Sequence, residues 1–130
     1  MSIDLRLEMK KEYLYVQMTG VFTIEEAKGS FCKILEAASD NDAPKALLNC
    51  LQLEGAPSMI ERFTYGAFVA KELRLYSIRF GRPSIKLACV AREPLLDKER
   101  FGEIVATNRG ANVKMFDDEK DALNWLRSLF

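Results

Sequence analysis

Apolar and polar residues alternate from the start of the chain. Ile3, Leu5, Leu7 and Met9 are separated by Asp4, Arg6 and Glu8, a period of two that predicts a strand with one wet face. After Lys10-Lys11-Glu12 the alternation resumes, with Leu14, Val16 and Met18 set between Tyr13, Tyr15 and Gln17. The two strands read as a hairpin, and Gly20 closes the second. The period then becomes helical. Thr23-Ile24-Glu25-Glu26 has the form of a capping box, and Ile24, Ala27, Phe31, Leu35 and Ala38 follow at helical spacing, predicting a helix over about 24–39.

Lys45-Ala46-Leu47-Leu48-Asn49-Cys50-Leu51 is a short apolar run of the kind covered on both faces in a parallel sheet. From Met59 to about Tyr76, the stripe Ile60, Phe63, Ala67, Ala70 and Leu73 predicts a second helix, and Arg79-Phe80-Gly81-Arg82-Pro83 a basic loop after it. Ile85 to Ala91 repeats the buried-strand pattern. Pro94 suits the first position of a third helix with Leu95, Phe101, Ile104 and Val105 inside and Gly110 as its cap. Val113, Met115 and Phe116 mark a last strand. Asp117 or Asp118 then caps a helix with the stripe Ala122, Leu123, Trp125, Leu126 and Leu129. The order β-β-α-β-α-β-α-β-α predicts an α/β fold, a mixed and mostly parallel five-stranded sheet flanked by four helices, in one domain spanning residues 1–130.

Charge and composition narrow the chemistry. Nineteen Lys plus Arg balance nineteen Asp plus Glu, which argues against a nucleic-acid or anionic-membrane partner held by bulk charge. The absence of histidine removes Ser-His-Asp and Cys-His catalysis and every zinc site that needs an imidazole. No run reaches the ~18 apolar residues of a membrane span, and the N-terminus lacks a leader's apolar stretch, so a cytoplasmic chain without an integral membrane segment is expected. Cys32, Cys50 and Cys89 lie far apart in apolar stretches. They read as free, buried, unreactive thiols in a reducing compartment. No metal, cofactor or catalytic residue is expected.

In open α/β sheets ligands bind beyond the carboxyl ends of the strands. Here that locates Gln52, Glu54, Gly55 and Arg92, with Ser58 the one hydroxyl at the start of the second helix. Ser58 reads as an N-cap, or as a phosphoacceptor or anion ligand. Glu54, Glu93 and Asp117 read as solvated loop acids, with a converging acid–base pair as the alternative. The second helix carries more apolar surface than one stripe uses: Tyr65, Phe68, Val69, Leu75 and Tyr76 lie off it, and Phe80 follows. That surplus serves extra core, a homodimer interface, or an apolar pocket between helix and sheet formed by Phe63, Phe68, Tyr76 and Phe80. Arg74, Arg79, Arg82 and Lys86 nearby are either solvated or a site for an acidic head group. Gly29 and Gly66 fall inside helical patterns and read as close-packing positions.

The string also resembles the SpoIIAA-like family, relatives of the STAS domain with Sec14-like architecture. The likeness is carried by Ala46-Leu47-Leu48-Asn49 running into Leu53-Glu54-Gly55, by Arg62-Phe63 and Gly66-Ala67, and by Lys86-Leu87-Ala88-Cys89-Val90. The ending from Val113 to Leu126, with Phe116, four acidic residues, Ala122-Leu123 and Trp125-Leu126, is its most recognisable piece. The resemblance implies a mixed sheet flanked by helices and a non-enzymatic regulatory or binding module, acting by protein–protein interaction, in a group largely without assigned function. A carrier or sensor of a lipid-like ligand is the alternative. In anti-sigma-factor antagonists a serine before the second helix is phosphorylated. Ser58 stands at that position, but Ala56-Pro57 and Met59 replace the acidic-Ser-Ser signature.

Overall fold

The computed structural model describes residues 3–128. Its elements are β1 (Asp4–Met9), β2 (Leu14–Val21), α1 (Ile24–Asp40), β3 (Lys45–Glu54), α2 (Met59–Phe80), β4 (Lys86–Val90), α3 (Phe101–Asn108), β5 (Val113–Phe116) and α4 (Glu119–Arg127). The sheet runs β1-β2-β3-β4-β5, antiparallel between β1 and β2 and parallel thereafter. This is the expected α/β architecture.

Strand order equals chain order, so every crossover steps the same way. Right-handed connections then put α1, α2 and α3 on one face. Only α4, which follows the last strand, crosses to the other. The alternation of side chains along each strand supplies both layers. Leu48, Cys50, Leu87 and Ala91 join Phe31, Ile34, Val69, Leu73 and Tyr76 in the larger core. Leu47, Ala88 and Val90 meet Ala122 and Leu126 beneath α4. The apolar run of β3 is thus buried from both sides. Leu129 lies outside the described residues.

Several expectations change. Thr23 caps α1 by accepting from the Glu26 amide at 3.3 Å, but the reciprocal half of the box is missing because the Glu26 carboxylate accepts from the Ile3 amide at 3.0 Å. The apolar face of β1 is not fully covered, since β1 is an edge strand and Leu7 and Met9 stand exposed. The inner stripe of α2 is Gly66, Val69, Ala70, Leu73 and Tyr76, leaving Ile60 and Phe63 outside. The helix also runs on through Arg79 and Phe80 to Gly81, whose positive φ of 63° ends it, so the basic loop is shorter than expected. Pro94 does not open a helix. Residues 93–100 form turns, and α3 begins at Phe101, where the Asp97 carboxylate accepts the first amide at 3.0 and 3.1 Å. Ile104 consequently points to solvent, while Val105 and Ala106 face inward. Gly66 does serve close packing, but Gly29 has nothing within 4 Å of where a side chain would begin.

Candidate functional site

The carboxyl end of β3 is stitched to that of β2. The Phe22 amide donates to the Glu54 carbonyl at 2.7 Å, and Gly55, at φ 141°, lies against Phe22, where a Cβ would stand 3.1 Å from the Phe22 Cβ. Glycine is required there by conformation and by space. Three residues later, Ser58 makes the full capping box that the sequence suggested for Thr23. Its hydroxyl accepts from the Glu61 amide at 3.2 Å, and its own amide donates to the Glu61 carboxylate at 2.8 Å. The first turns of α2 therefore leave the sheet on a fixed backbone. They present Met59, Ile60 and Phe63 outward, with the Arg109 guanidinium over the Phe63 ring at 5.2 Å.

Behind this surface, between α2, α3 and the sheet, is an apolar cavity of about 140 Å³. Leu48, Cys50, Leu87 and Cys89 form its floor, with Phe31 and Tyr65 among its walls. The segment before α3 forms part of its wall, and Arg62 holds that segment. Its guanidinium donates to the carbonyls of Leu95 at 2.6 Å and Pro94 at 2.9 Å, and faces the Asp97 carboxylate at 3.6 Å. Burial pushes the Cys50 thiol up to about 12, and raises Cys89 and the Tyr65 hydroxyl well above their ordinary ranges. These groups stay neutral at physiological pH, and the charged side chains of the lining are Arg62, Asp97, Arg100 and Glu103, on α2, on α3 and in the segment before α3.

The four aromatic residues expected around such a pocket stand elsewhere. Phe63 is on the outer surface. Phe68 lies between Phe31 and Tyr65, at ring separations of 6.3 and 6.2 Å, and takes the Lys28 ammonium on its face. Tyr76 is core, and its ring meets Phe80 at 5.3 Å. The helix turns Tyr65, Gly66 and Val69 to the cavity instead.

Of the remaining candidates, Gln52 pairs with Gln17 at 3.4 Å on the open face of the sheet. Arg92, Glu93 and Asp117 share a surface depression with Asp97 and Arg100, and Glu54 lies outside it. The basic cluster is mostly engaged within the chain. Arg79 pairs with Glu72 at 2.8 Å; Arg82 pairs with Asp42 and donates to the Ser39 carbonyl at 2.9 Å. Lys86 donates to the Trp125 carbonyl at 2.6 Å and the Ser128 carbonyl at 3.1 Å, over the Trp125 ring, and burial lowers its pKa. Cys32 is exposed, contrary to expectation, with its Sγ 3.9 Å from the Glu72 carboxylate of α2. Its thiol is nonetheless raised, by partial burial and by Glu72 nearby.

Two positioning residues escaped the sequence reading. Arg62 looks like any surface arginine in a helix, and only the fold brings residues 94–97 to it. Asn49 sits mid-strand in an apolar run. It donates to the Tyr15 hydroxyl at 2.9 Å and the Glu119 carboxylate at 3.2 Å while accepting from the Leu51 amide at 3.0 Å, which ties α4 to the sheet. A polar residue inside a buried run was the available signal. Among the described residues no group of three or more Cys, Asp and Glu side chains is arranged to hold a metal, and no helix is long and apolar enough to cross a membrane.

No protein-family model and no curated protein matches the sequence. Solved structures do. An anti-sigma factor antagonist from Mycobacterium paratuberculosis superposes with a TM-score of 0.61 at 17% identity, over 98% of this chain and 96% of that one. An uncharacterised DUF3478-family protein with a SpoIIAA-like fold, from Shewanella loihica, superposes with a TM-score of 0.53 at 23% identity, over 96% and 93%. At these identities the likeness is one of architecture, carried by the same element order and mixed sheet. The chain has a SpoIIAA-like fold.

Proposed function

We propose that the chain is a non-enzymatic STAS-like regulatory or binding module of the cytoplasm, which docks a protein partner on the first turns of α2. One observation carries this reading. Met59, Ile60 and Phe63 are 63, 78 and 44% exposed, side by side on a helix start that Ser58 and Glu61 hold rigid. Complete burial of a fully exposed side chain of this size is worth ~1.5–3 kcal/mol, and covering the part these three still expose stabilises a complex by a share of that, before the cost of association. The fold is shared with an anti-sigma factor antagonist, a name that describes action on another protein. A homodimer, formed through a surface apart from the start of α2, belongs to the same proposal. Phosphorylation of Ser58 is the regulatory input that suits this place. A phosphate would displace the Glu61 carboxylate from the cap and add negative charge beside the docking surface.

The test is quantitative affinity capture from the native cell extract with the wild-type chain, Ile60→Glu/Phe63→Glu and a distant control, Lys33→Glu. A small set of proteins lost about tenfold with the double variant and retained with the control supports the reading. Identical capture by all three contradicts it.

The cavity favours a second reading, a carrier or sensor of a small apolar ligand. Its ~140 Å³ is close to the ~150 Å³ that accepts one benzene. It suits a compact apolar molecule better than a whole acyl chain. Native mass spectrometry of protein purified from its own cells should then show a bound mass that Val69→Phe excludes, and a ligand-free spectrum would remove this reading.

A further inference from the structure

The two edges of the sheet end differently. At β5 the outward backbone of Met115 is occupied on both sides. Its N–H donates to the Glu103 carboxylate at 2.5 Å, and its carbonyl accepts from Arg100 at 2.7 Å. Side chains of α3 and the turn before it thus block that edge, a common defence against strand addition. At β1, among the described residues, no side chain is bonded to the backbone of Leu5, Leu7 or Met9. The Lys10 amide bonds across the hairpin to the Tyr13 carbonyl at 2.9 Å, so Lys10 and the alternate residues Asp4, Arg6 and Glu8 turn their backbone toward β2. Leu5, Leu7 and Met9 therefore direct their N–H and C=O groups away from the sheet. Leu7 and Met9 are also 42 and 39% exposed, although they stand beside buried Val16 and Leu14.

We propose that this free edge of β1 pairs antiparallel with the β1 edge of a second copy, about a two-fold axis through Leu7, joining the two five-stranded sheets into one. The sequence of β1 is self-complementary in that register. Leu7 faces Leu7 of the second copy, Leu5 faces its Met9, Arg6 faces its Glu8, and Asp4 faces its Lys10. Every charge meets its opposite and every apolar residue meets another. The neighbouring registers do the reverse. A slip of two residues one way sets Arg6 against Arg6 and Asp4 against Glu8. A slip the other way sets Glu8 against Glu8 and Arg6 against Lys10. Like charges directly opposite are unfavourable, and a slip of one residue reverses the faces. Edge charges usually prevent pairing; here their order selects one partner and one alignment. Leu5, Leu7 and Met9 of each copy exchange backbone hydrogen bonds, and their side chains extend the apolar face already begun by Leu14, Val16 and Met18. Glu8, which bonds Lys10 of its own strand at 3.0 Å, is then shared with Arg6 of the second copy.

This gives the homodimer proposed above a surface, and rests on that part of the reading alone. Sedimentation of the full chain, up to about millimolar concentration, should show a reversible dimer. Arg6→Glu and Glu8→Arg should each weaken it about tenfold, because two symmetry-related pairs turn repulsive at once. The combined Arg6→Glu/Glu8→Arg chain should recover wild-type association. Both residues are exposed, and circular dichroism checks that each variant is folded. Disulfide trapping in a Cys32→Ser background reads the register. Leu7→Cys should cross-link to itself, whereas Leu5→Cys should cross-link to Met9→Cys and not to itself. A monomer at every concentration overturns both this pairing and the homodimer. A dimer indifferent to the charge reversals, or cross-links in another register, overturns the β1 pairing while leaving a dimer through another face.

Discussion

Gly66 and Gly29 both interrupt helices, yet alanine should act on them with opposite sign. A Cβ built on Gly66 would lie 2.6 Å from the Gly102 carbonyl oxygen and 3.2 Å from the Val105 Cβ. Ordinary contact begins near 3.4 Å, so the backbone of α3 must retreat by roughly 0.8 Å. That neighbour is backbone, which cannot swing away like a side-chain tip. Overpacking of this kind costs ~1–3 kcal/mol, and alanine's better helix propensity returns ~1 kcal/mol. The expected net loss for Gly66→Ala is about 1 kcal/mol. A Cβ on Gly29 meets nothing within 4 Å on the exposed side of α1, so Gly29→Ala keeps the whole propensity gain, ~0.5–1 kcal/mol. Urea unfolding measures both against the wild type. The two variants should separate by about 2 kcal/mol, with melting temperatures shifted in opposite directions by roughly 3–5 °C per kcal/mol. Gly66→Ala should also speed amide exchange over 101–108 before it does so in α1. If Gly66→Ala stabilises the chain as much as Gly29→Ala does, α2 and α3 do not approach this closely in solution, and the packing beside the cavity is wrong.

Ser58→Ala should destabilise the chain by ~1 kcal/mol through loss of the capping box, while Ser58→Asp, which keeps a cap acceptor, should change stability little; thermal melts distinguish them. Lys86→Met removes charge-assisted hydrogen bonds to the carbonyls that end α4 and should cost ~1.5–3 kcal/mol in denaturant unfolding. Alkali should weaken the fold specifically. The Cys50 thiol rises from 9.0 in the open chain to about 12 in the folded one, with burial as the cause. The folded state therefore holds a proton that the unfolded state releases, so this contribution is complete below pH 9 and is lost as pH rises toward 12. Stability should fall by ~1.4 kcal/mol per pH unit across that window, and Cys50→Ala should flatten the slope.

The layers of the fold were legible because strand and helix periods leave different marks. β3 and β4 announced themselves by unbroken apolar runs, and their burial on both faces follows from α4 crossing to the second face. The face of α2 was misread because Ile60 and Phe63 continue the same apolar spacing as the core residues beyond them. Periodicity finds a stripe but cannot tell where it leaves the body of the protein. Pro94 misled for a related reason. Proline at a helix start and proline in a turn share the same φ, and here Arg62, from a distant helix, holds the carbonyls of Pro94 and Leu95 in the turn. The cavity was anticipated between helix and sheet, but its lining was not. Phase along α2 is fixed by the contact of Gly66 with α3, which no local pattern records. Self-complementarity of β1 was present in the sequence throughout. It acquires meaning only once β1 is seen to be an edge and β5 to be blocked.

The central claim is that the start of α2 meets a protein partner. A photo-reactive benzoylphenylalanine in place of Ile60, activated inside living cells and read by mass spectrometry, tests it most directly. The claim predicts a discrete adduct with another protein at position 60 that is missing when the same group replaces Lys33 on α1. No adduct at position 60, or equal adducts at both positions, would contradict it.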